Sequence, residues 1–216
     1  MTRVKICGLT TVDDLETAVE AGADALGIIC DVSVDTPREV TVERARELAA
    51  ATPPFVTTVL VTMGDDLERA GELAETVGPD AVQLHTDAEP SDLASLRSEI
   101  DPQLLLAIGA DGVARADRYD DAVDALLVDT PTEDGGGGTG ETHDWERTRS
   151  VVADLESPVV LAGGLTPDNV ADAVRTVEPF AVDVASGVEA SGGVKDPEAV
   201  RSFVDHAKTA TRTVQP

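Results

Sequence analysis

The sequence predicts an α/β protein, a single (β/α)8 TIM barrel with parallel strands. Eight short apolar runs recur at separations of 20 to 34 residues, and segments with helical periodicity lie between them. The runs are continuously apolar, as in residues 104–108, which is typical of parallel strands covered on both faces. The 216 residues show no break in composition, and this length suits one barrel.

The elements follow one another in a regular order. The predicted strands begin near Val4, Asp24, Phe55, Ala81, Gln103, Ala125, Val159 and Ala181. The predicted helices cover residues 12–21, 42–51, 67–77, 91–100, about 115–122, 144–155, 167–177 and 197–209. Thr166 and Pro167 predict the start of the seventh helix, because threonine is a good N-cap and proline suits the first helical position. We expect residues 1–216 to form one domain that ends in a frayed tail at about 210–216.

The composition narrows the function classes. Asp and Glu number 42 against 16 Lys and Arg, which gives a net charge of −26. The many negative charges repel one another within the fold, and dissolved salt screens this repulsion. We therefore expect a salt-adapted host. This charge disfavours a nucleic-acid partner. Strand-length apolar runs, the absence of a signal peptide and only two cysteines predict a cytoplasmic protein without a membrane span.

Two glycine turns near the C-terminus predict a phosphate site. Gly163 and Gly164 follow the seventh strand, and Ser186 and Gly187 follow the eighth. Glycine lets the backbone approach a ligand closely, and the loops after strands 7 and 8 of such barrels often hold a phosphate. Two ordinary tight turns are the alternative interpretation.

Cys7 and Asp129 are candidates for acid–base chemistry, because they end the first and sixth strands at the same barrel mouth. A buried apolar cysteine and a capping aspartate are the alternative interpretations. Lys5 lies on the same strand face as Cys7, and a lysine inside a barrel needs a counter-charge. Strand 8 neighbours strand 1 when the barrel closes, so we predict an ion pair between Lys5 and Asp183.

Two long loops at the mouth carry further candidates. Arg38 lies in the loop of residues 31–40 and suits capture of a carboxylate or phosphate. A solvated loop charge is its alternative. The loop of residues 130–143 contains a glycine-rich stretch that could close on a ligand or be a plain connector. His85, His143 and His206 lack the spacing of metal ligands, so we expect no metal.

A set of motifs spans nearly the whole chain. They are residues 5–10 (KICGLT), 22–27 (GADALG), 36–40 (TPREV), 82–85 (VQLH), 127–130 (LVDT), 137–140 (GGTG), 144–145 (DW), 161–165 (LAGGL), 183–189 (DVASGVE) and 195–196 (KD). In identity and order they resemble the phosphoribosylanthranilate isomerases of tryptophan biosynthesis. The resemblance extends from residue 3 to about residue 206.

The resemblance implies an Amadori rearrangement of N-(5-phosphoribosyl)anthranilate to 1-(2-carboxyphenylamino)-1-deoxyribulose 5-phosphate, without a cofactor. It implies that Asp129 is the general acid that opens the ribose ring and that Cys7 is the general base that removes the C2 proton. The remaining implied roles are binding of the anthranilate carboxylate by Arg38, substrate binding by Gln83, His85 and Asp183, phosphate binding by Gly163, Gly164, Ser186 and Gly187, and a mobile loop at Gly137, Gly138, Thr139 and Gly140.

Three matters stay open on the sequence. A histidine-pathway or dual-substrate phosphoribosyl isomerase is the first alternative, although that chemistry is usually associated with an aspartate where Cys7 stands. A catalytically silent phosphate-binding barrel is the second. The resemblance implies that the ligand is a small phosphosugar. The sequence leaves the oligomeric state open between a monomer and a homodimer. Because Cys30 ends the strand beside Cys7, we also consider an oxidative link between the two thiols.

Overall fold

A computed structural model describes residues 1–129 and 145–210 of the chain. The strands are β1 (Arg3–Cys7), β2 (Ala25–Cys30), β3 (Glu39–Val40), β4 (Thr57–Met63), β5 (Ala81–His85), β6 (Gln103–Gly109), β7 (Ala125–Asp129), β8 (Val159–Leu161), β9 (Ala181–Val184), β10 (Glu189–Ser191) and β11 (Val194–Lys195). All eight predicted strands are present. The sequence did not reveal the two-residue β3 or the hairpin of β10 and β11.

Eight of these strands form a closed parallel barrel. Each pairs with the next along the chain, and β1 pairs with both β2 and β9, which closes the sheet. The short β3 pairs in parallel with the carboxyl end of β2, at Ile29 and Cys30. The predicted (β/α)8 barrel is therefore confirmed.

The α-helices lie between the barrel strands. They are α1 (Val12–Ala21), α2 (Val42–Ala51), α3 (Leu67–Val77), α4 (Pro90–Glu99), α5 (Trp145–Val152), α6 (Val170–Val177) and α7 (Pro197–Thr209). The predicted helix near residues 115–122 is wrong in type and place, because a 3-10 helix covers Ala110–Tyr119 instead. Three residues per turn put Val113, Ala116 and Tyr119 on one face, and all three pack into the same apolar cluster.

The predicted start of the seventh helix at Thr166 and Pro167 is also wrong. The helix begins at Val170, and Asn169 precedes it. The Asn169 side chain accepts a hydrogen bond from the Thr166 backbone nitrogen (2.8 Å) and donates one to the Gly164 carbonyl oxygen (2.9 Å). This asparagine therefore closes a separate turn over residues 164–169 before α6 begins.

Side chains alternate between the barrel interior and the layer under the helices. Cys7 faces the interior together with Val59, Val61 and Leu105. Cys30 packs in the outer layer, among side chains that lie between the strands and the helices. Because the two thiols lie on opposite faces of the sheet, the considered oxidative link between Cys7 and Cys30 is wrong for this fold. Both are free cysteines.

None of the helices in the described ranges is long and apolar enough to cross a membrane. The predicted tail lies outside the described residues from residue 211 onward.

Candidate active site

Cys7 and Asp129 end β1 and β7 at the carboxyl rim of the barrel. Cys7 is 5% exposed and shares its strand face with Lys5. Asp129 shares its strand face with Leu127, which packs inside the barrel with Ala107 and Val160. The two groups predicted to act as base and acid therefore face the same interior from the same rim.

A glycine on the neighbouring strand makes room for the Cys7 thiol. Gly27 is in register with Cys7, and a Cβ at Gly27 would lie 2.6 Å from the Cys7 sulfur and 3.0 Å from its Cα. The sequence alone did not reveal this role of Gly27. The close approach depends on barrel register, although Gly27 does fall inside one of the motifs.

A polar layer lies directly below the rim. The Lys5 ammonium group donates to Asp183 Oδ1 and to Gln83 Oε1, each at 3.0 Å. Lys5 and Gln83 are almost fully buried, and Gln83 Nε2 lies 3.1 Å from His85 Nε2. The predicted ion pair between Lys5 and Asp183 is confirmed. The structure thus joins three predicted substrate-binding residues to Lys5 in one network.

The network determines the charge states around Cys7. Burial raises the pKa of the Cys7 thiol above its ordinary value, against the opposing influence of the Lys5 and Lys195 ammonium groups. Burial is the largest single influence and lowers the pKa of Lys5, but Asp183 and Cys7 together outweigh it and the net shift is upward. Burial and the nearby Lys5 charge lower the pKa of His85. His85 is consequently neutral at physiological pH, whereas Lys5 carries a positive charge.

The two glycine turns predicted to hold a phosphate pack against each other. Gly163 and Gly164 both have positive φ, at 85° and 63°. A Cβ at Gly187 would lie 2.0 Å from the Leu165 carbonyl oxygen, so only glycine allows this approach. Ser186 and Gly187 belong to a 3-10 helix, Ser186–Val188, that follows β9. The structure therefore brings all four predicted phosphate-binding residues together.

Arg38 packs against Gly8, the residue after Cys7, and forms an ion pair with Glu189. Its side chain crosses Gly8, where a Cβ would lie 2.8 Å from Arg38 Cδ. The guanidinium group donates from Nε and Nη2 to the two oxygens of Glu189, each at 2.8 Å. Lys195 donates to Glu189 Oε1 at 2.9 Å. Neither Glu189 nor Lys195 has a role predicted from the sequence, although Lys195 is one of only three lysines in a very acidic chain.

Three remaining points concern metal binding, His206 and the predicted glycine-rich loop. Within residues 1–129 and 145–210, no group of three or more His, Cys, Asp or Glu side chains could hold a metal ion. His206 lies on α7, where its ring nitrogen is 2.7 Å from the Pro167 carbonyl oxygen. The predicted mobile loop at Gly137, Gly138, Thr139 and Gly140, together with His143, lies outside the described residues.

The chain matches known proteins along nearly its whole length. A family model described as N-(5'phosphoribosyl)anthranilate (PRA) isomerase matches residues 4–206. The N-(5'-phosphoribosyl)anthranilate isomerase of Haloferax volcanii is 60% identical, over 99% of this chain and 96% of that protein. Its namesake from Natronomonas pharaonis is 58% identical, over 96% of this chain and 98% of that protein.

Solved structures agree with these matches. The crystal structure of phosphoribosyl anthranilate isomerase from Thermotoga maritima gives a TM-score of 0.86 at 36% identity, covering 96% of this chain and 99% of that chain. A second crystal structure of such an isomerase, in complex with reduced 1-(o-carboxyphenylamino)-1-deoxyribulose 5-phosphate, gives 0.82 at 34% identity over 96% and 99% of the two chains.

Proposed function

The chain belongs to the N-(5'-phosphoribosyl)anthranilate isomerase family, and we propose that Cys7 and Asp129 perform its reaction. The enzyme converts N-(5'-phosphoribosyl)anthranilate to 1-(2-carboxyphenylamino)-1-deoxyribulose 5-phosphate in the biosynthesis of tryptophan. The observation that carries the assignment of residues is that Cys7 and Asp129 face one barrel interior from one rim.

The two residues divide the proton transfers of the rearrangement. Asp129 gives a proton to the ring oxygen of the ribose, the ring opens, and a Schiff base forms at C1. Cys7 then removes the C2 proton, and the resulting enolamine tautomerises to the ketone product. One proton leaves Asp129 and one arrives at Cys7, so the substrate and product remain isomers. This base role requires the Cys7 thiolate, which the Lys5 charge favours and burial disfavours.

The two ends of the substrate have separate sites in this proposal. The backbone of the two packed glycine turns suits the phosphate, because exposed N–H groups at such turns attract anions. Arg38, which packs against Gly8, suits the anthranilate carboxylate. Gln83, His85 and Asp183 line the interior between these ends and complete the proposed substrate site. The loop with Gly137 to Gly140 stays a prediction.

The setting of the enzyme completes the proposal. We infer a cytoplasmic location from the biosynthetic pathway and from the two free cysteines. The net charge of −26 supports a salt-rich cytoplasm and argues against a nucleic-acid partner. The ligand is a small phosphosugar, and the choice between monomer and homodimer stays open.

The test is steady-state turnover of N-(5'-phosphoribosyl)anthranilate in molar KCl by the wild type and three variants. We expect Cys7→Ala and Asp129→Ala to lose activity by orders of magnitude, because each removes one proton-transfer group. Cys30→Ala is the matched control, since it deletes a buried thiol from the outer layer. It should leave turnover unchanged.

Three outcomes would contradict this proposal. Loss of activity in only one of the two site variants would mean that the acid and base are assigned wrongly. Equal loss in Cys30→Ala would mean that thiol deletion acts through the fold. A folded wild type without turnover would favour the histidine-pathway substrate or a silent phosphate-binding barrel.

A further inference from the structure

An ionic cluster formed by Arg38, Glu189 and Lys195 lies at the edge of the mouth. Both oxygens of Glu189 accept hydrogen bonds from Arg38, and Oε1 also accepts one from Lys195. The Glu189 side chain is 5% exposed and that of Lys195 is fully buried. A carboxylate that binds two cations in such a place restrains both of them strongly.

The geometry leaves one edge of Arg38 available. Glu189 occupies the side of the guanidinium group that carries Nε and Nη2. A guanidinium group has five N–H donors, and the opposite edge offers Nη1 together with the second proton of Nη2. None of the described residues accepts a hydrogen bond from Arg38 Nη1. Arg38 can therefore bind Glu189 and a second carboxylate at the same time, on different edges.

The cluster also ties Arg38 to the phosphate turn. Glu189 directly follows the 3-10 helix Ser186–Val188, and Lys195 Nζ donates to the Ala185 carbonyl oxygen at 3.1 Å. The hairpin also packs closely against Pro37, the residue before Arg38, because a Cβ at Gly193 would lie 2.4 Å from the Pro37 carbonyl oxygen. The hairpin of β10 and β11 therefore holds the Arg38 loop at a fixed place relative to the phosphate turn.

We propose that Glu189, held by Lys195, is a positioning residue that presents Arg38 to the substrate carboxylate and so sets the preference for carboxylated ligands. The inference rests on the proposed function, in which Arg38 binds the anthranilate carboxylate. A long arginine that is ordered before binding loses less freedom when the ligand arrives. Ordering one such side chain accounts for about two- to tenfold in affinity.

A purely structural role for Glu189 makes a different prediction. If the cluster only stabilises the hairpin and the phosphate turn, its loss weakens every phosphorylated ligand alike. If Glu189 positions Arg38, its loss weakens only ligands that carry the carboxylate. The contrast between ligands with and without the carboxylate therefore separates the two roles.

The experiment measures binding by calorimetry in molar KCl with three ligands that do not react. They are reduced 1-(o-carboxyphenylamino)-1-deoxyribulose 5-phosphate, its counterpart without the carboxyl group, and ribose 5-phosphate. We expect Glu189→Gln to weaken the first ligand by about two- to tenfold and to leave the affinities of the other two unchanged. Glu72→Gln is the matched control, because it neutralises an exposed glutamate on α3 that, with Asp31, pairs with Arg69. It should change none of the three affinities.

A second variant protects the test from misfolding. Glu189→Gln leaves the buried Lys195 ammonium group without a counter-charge in the cluster, which can destabilise the fold. The double variant Glu189→Gln/Lys195→Met removes both charges, and it should show the same selective loss for the carboxylated ligand. An equal loss for all three ligands, or an unchanged affinity for the first, would overturn the inference.

The wild type separates this inference from the proposed function. If the wild type itself shows no preference for the carboxylated ligand, the proposed role of Arg38 fails. If the wild type shows the preference and both Glu189 variants keep it, Arg38 binds the carboxylate without help. Only the positioning role of Glu189 then fails.

Discussion

Replacing Gly27 with alanine should displace the Cys7 thiol. The added Cβ would lie 2.6 Å from the Cys7 sulfur, whereas ordinary contacts begin at 3.4 Å, so the sulfur must retreat by about 0.8 Å. The Cys7 Cα would lie only 3.0 Å away, and backbone cannot rotate aside. β1 and β2, which are hydrogen-bonded neighbours, would therefore also have to separate locally.

Both consequences have expected magnitudes. Overpacking of this kind lowers the free energy of unfolding by about 1–3 kcal/mol. Misplacement of a reacting group by about 1 Å can lower the rate about 100-fold. We therefore expect Gly27→Ala to remain folded, with a modestly lower unfolding temperature, and to lose about 10- to 100-fold in kcat.

The assay pairs turnover in molar KCl with thermal unfolding followed by circular dichroism. Gly71→Ala on α3 is the matched control, because a Cβ there would meet its nearest neighbours, Leu96 and Ile100, at 3.7 and 3.9 Å, which are ordinary contact distances. Alanine inside a helix is favoured over glycine by about 0.5–1 kcal/mol, so this variant should be slightly more stable with unchanged kcat. Gly27→Ala with wild-type kcat would refute the reasoning. A loss of stability alone would mean that the position of the Cys7 sulfur does not limit the reaction.

Three further predictions concern pH, oxidation and salt. Cys7 acts deprotonated, and burial raises the pKa of its thiol above the ordinary value. We therefore expect the inflection of kcat/KM that belongs to Cys7 to lie above about pH 9, and a Cys7 inflection centred near neutrality would contradict the assignment. Mild oxidation should leave Cys7 and Cys30 unlinked, as counted by thiol titration after denaturation; recovery of a disulfide between them would contradict the placement of their side chains. Lowering KCl from about 1 M to about 0.1 M lengthens the Debye length from about 3 to about 10 Å, so the unfolding temperature should fall. Sucrose at equal osmolality should not restore it, and full restoration would argue against charge repulsion as the cause.

The barrel and its interior ion pair were predictable because strand geometry repeats. Apolar runs of strand length give the strand positions, and a period of two assigns each side chain to a face. Barrel closure then places β9 beside β1, and the register indeed pairs Lys5 with Asp183. In the structure, Cys30 packs in the outer layer with Leu26 and Ile28 of its strand face, whereas Cys7 faces the interior. Because β2 is apolar on both faces, the sequence alone did not assign the Cys30 side chain to one of them.

Helix starts were harder to predict, because several residue types compete for the same cap. Thr166 and Asn169 are both good capping residues, three positions apart. The proline after Thr166 favours a start there, although asparagine is on average the stronger N-cap. In the structure, the Asn169 side chain bonds across the turn to the Thr166 nitrogen and the Gly164 carbonyl oxygen. That choice depends on the positive φ angles at Gly163 and Gly164, which place the carbonyl within reach.

The cluster around Glu189 was out of reach of the sequence for a different reason. Arg38 lies in a loop, and Glu189, 151 positions further along the chain, begins a two-stranded hairpin. No period relates such segments, so their contact depends on how the glycines at positions 8, 192 and 193 let the chain pack against Pro37 and Arg38. The sequence does show that lysine is scarce. Lysine occurs three times in 216 residues, and each lysine forms an ion pair in the structure, with Asp183, Glu189 or Asp24. In a chain this acidic, a rare lysine therefore indicates where a carboxylate needs a fixed partner.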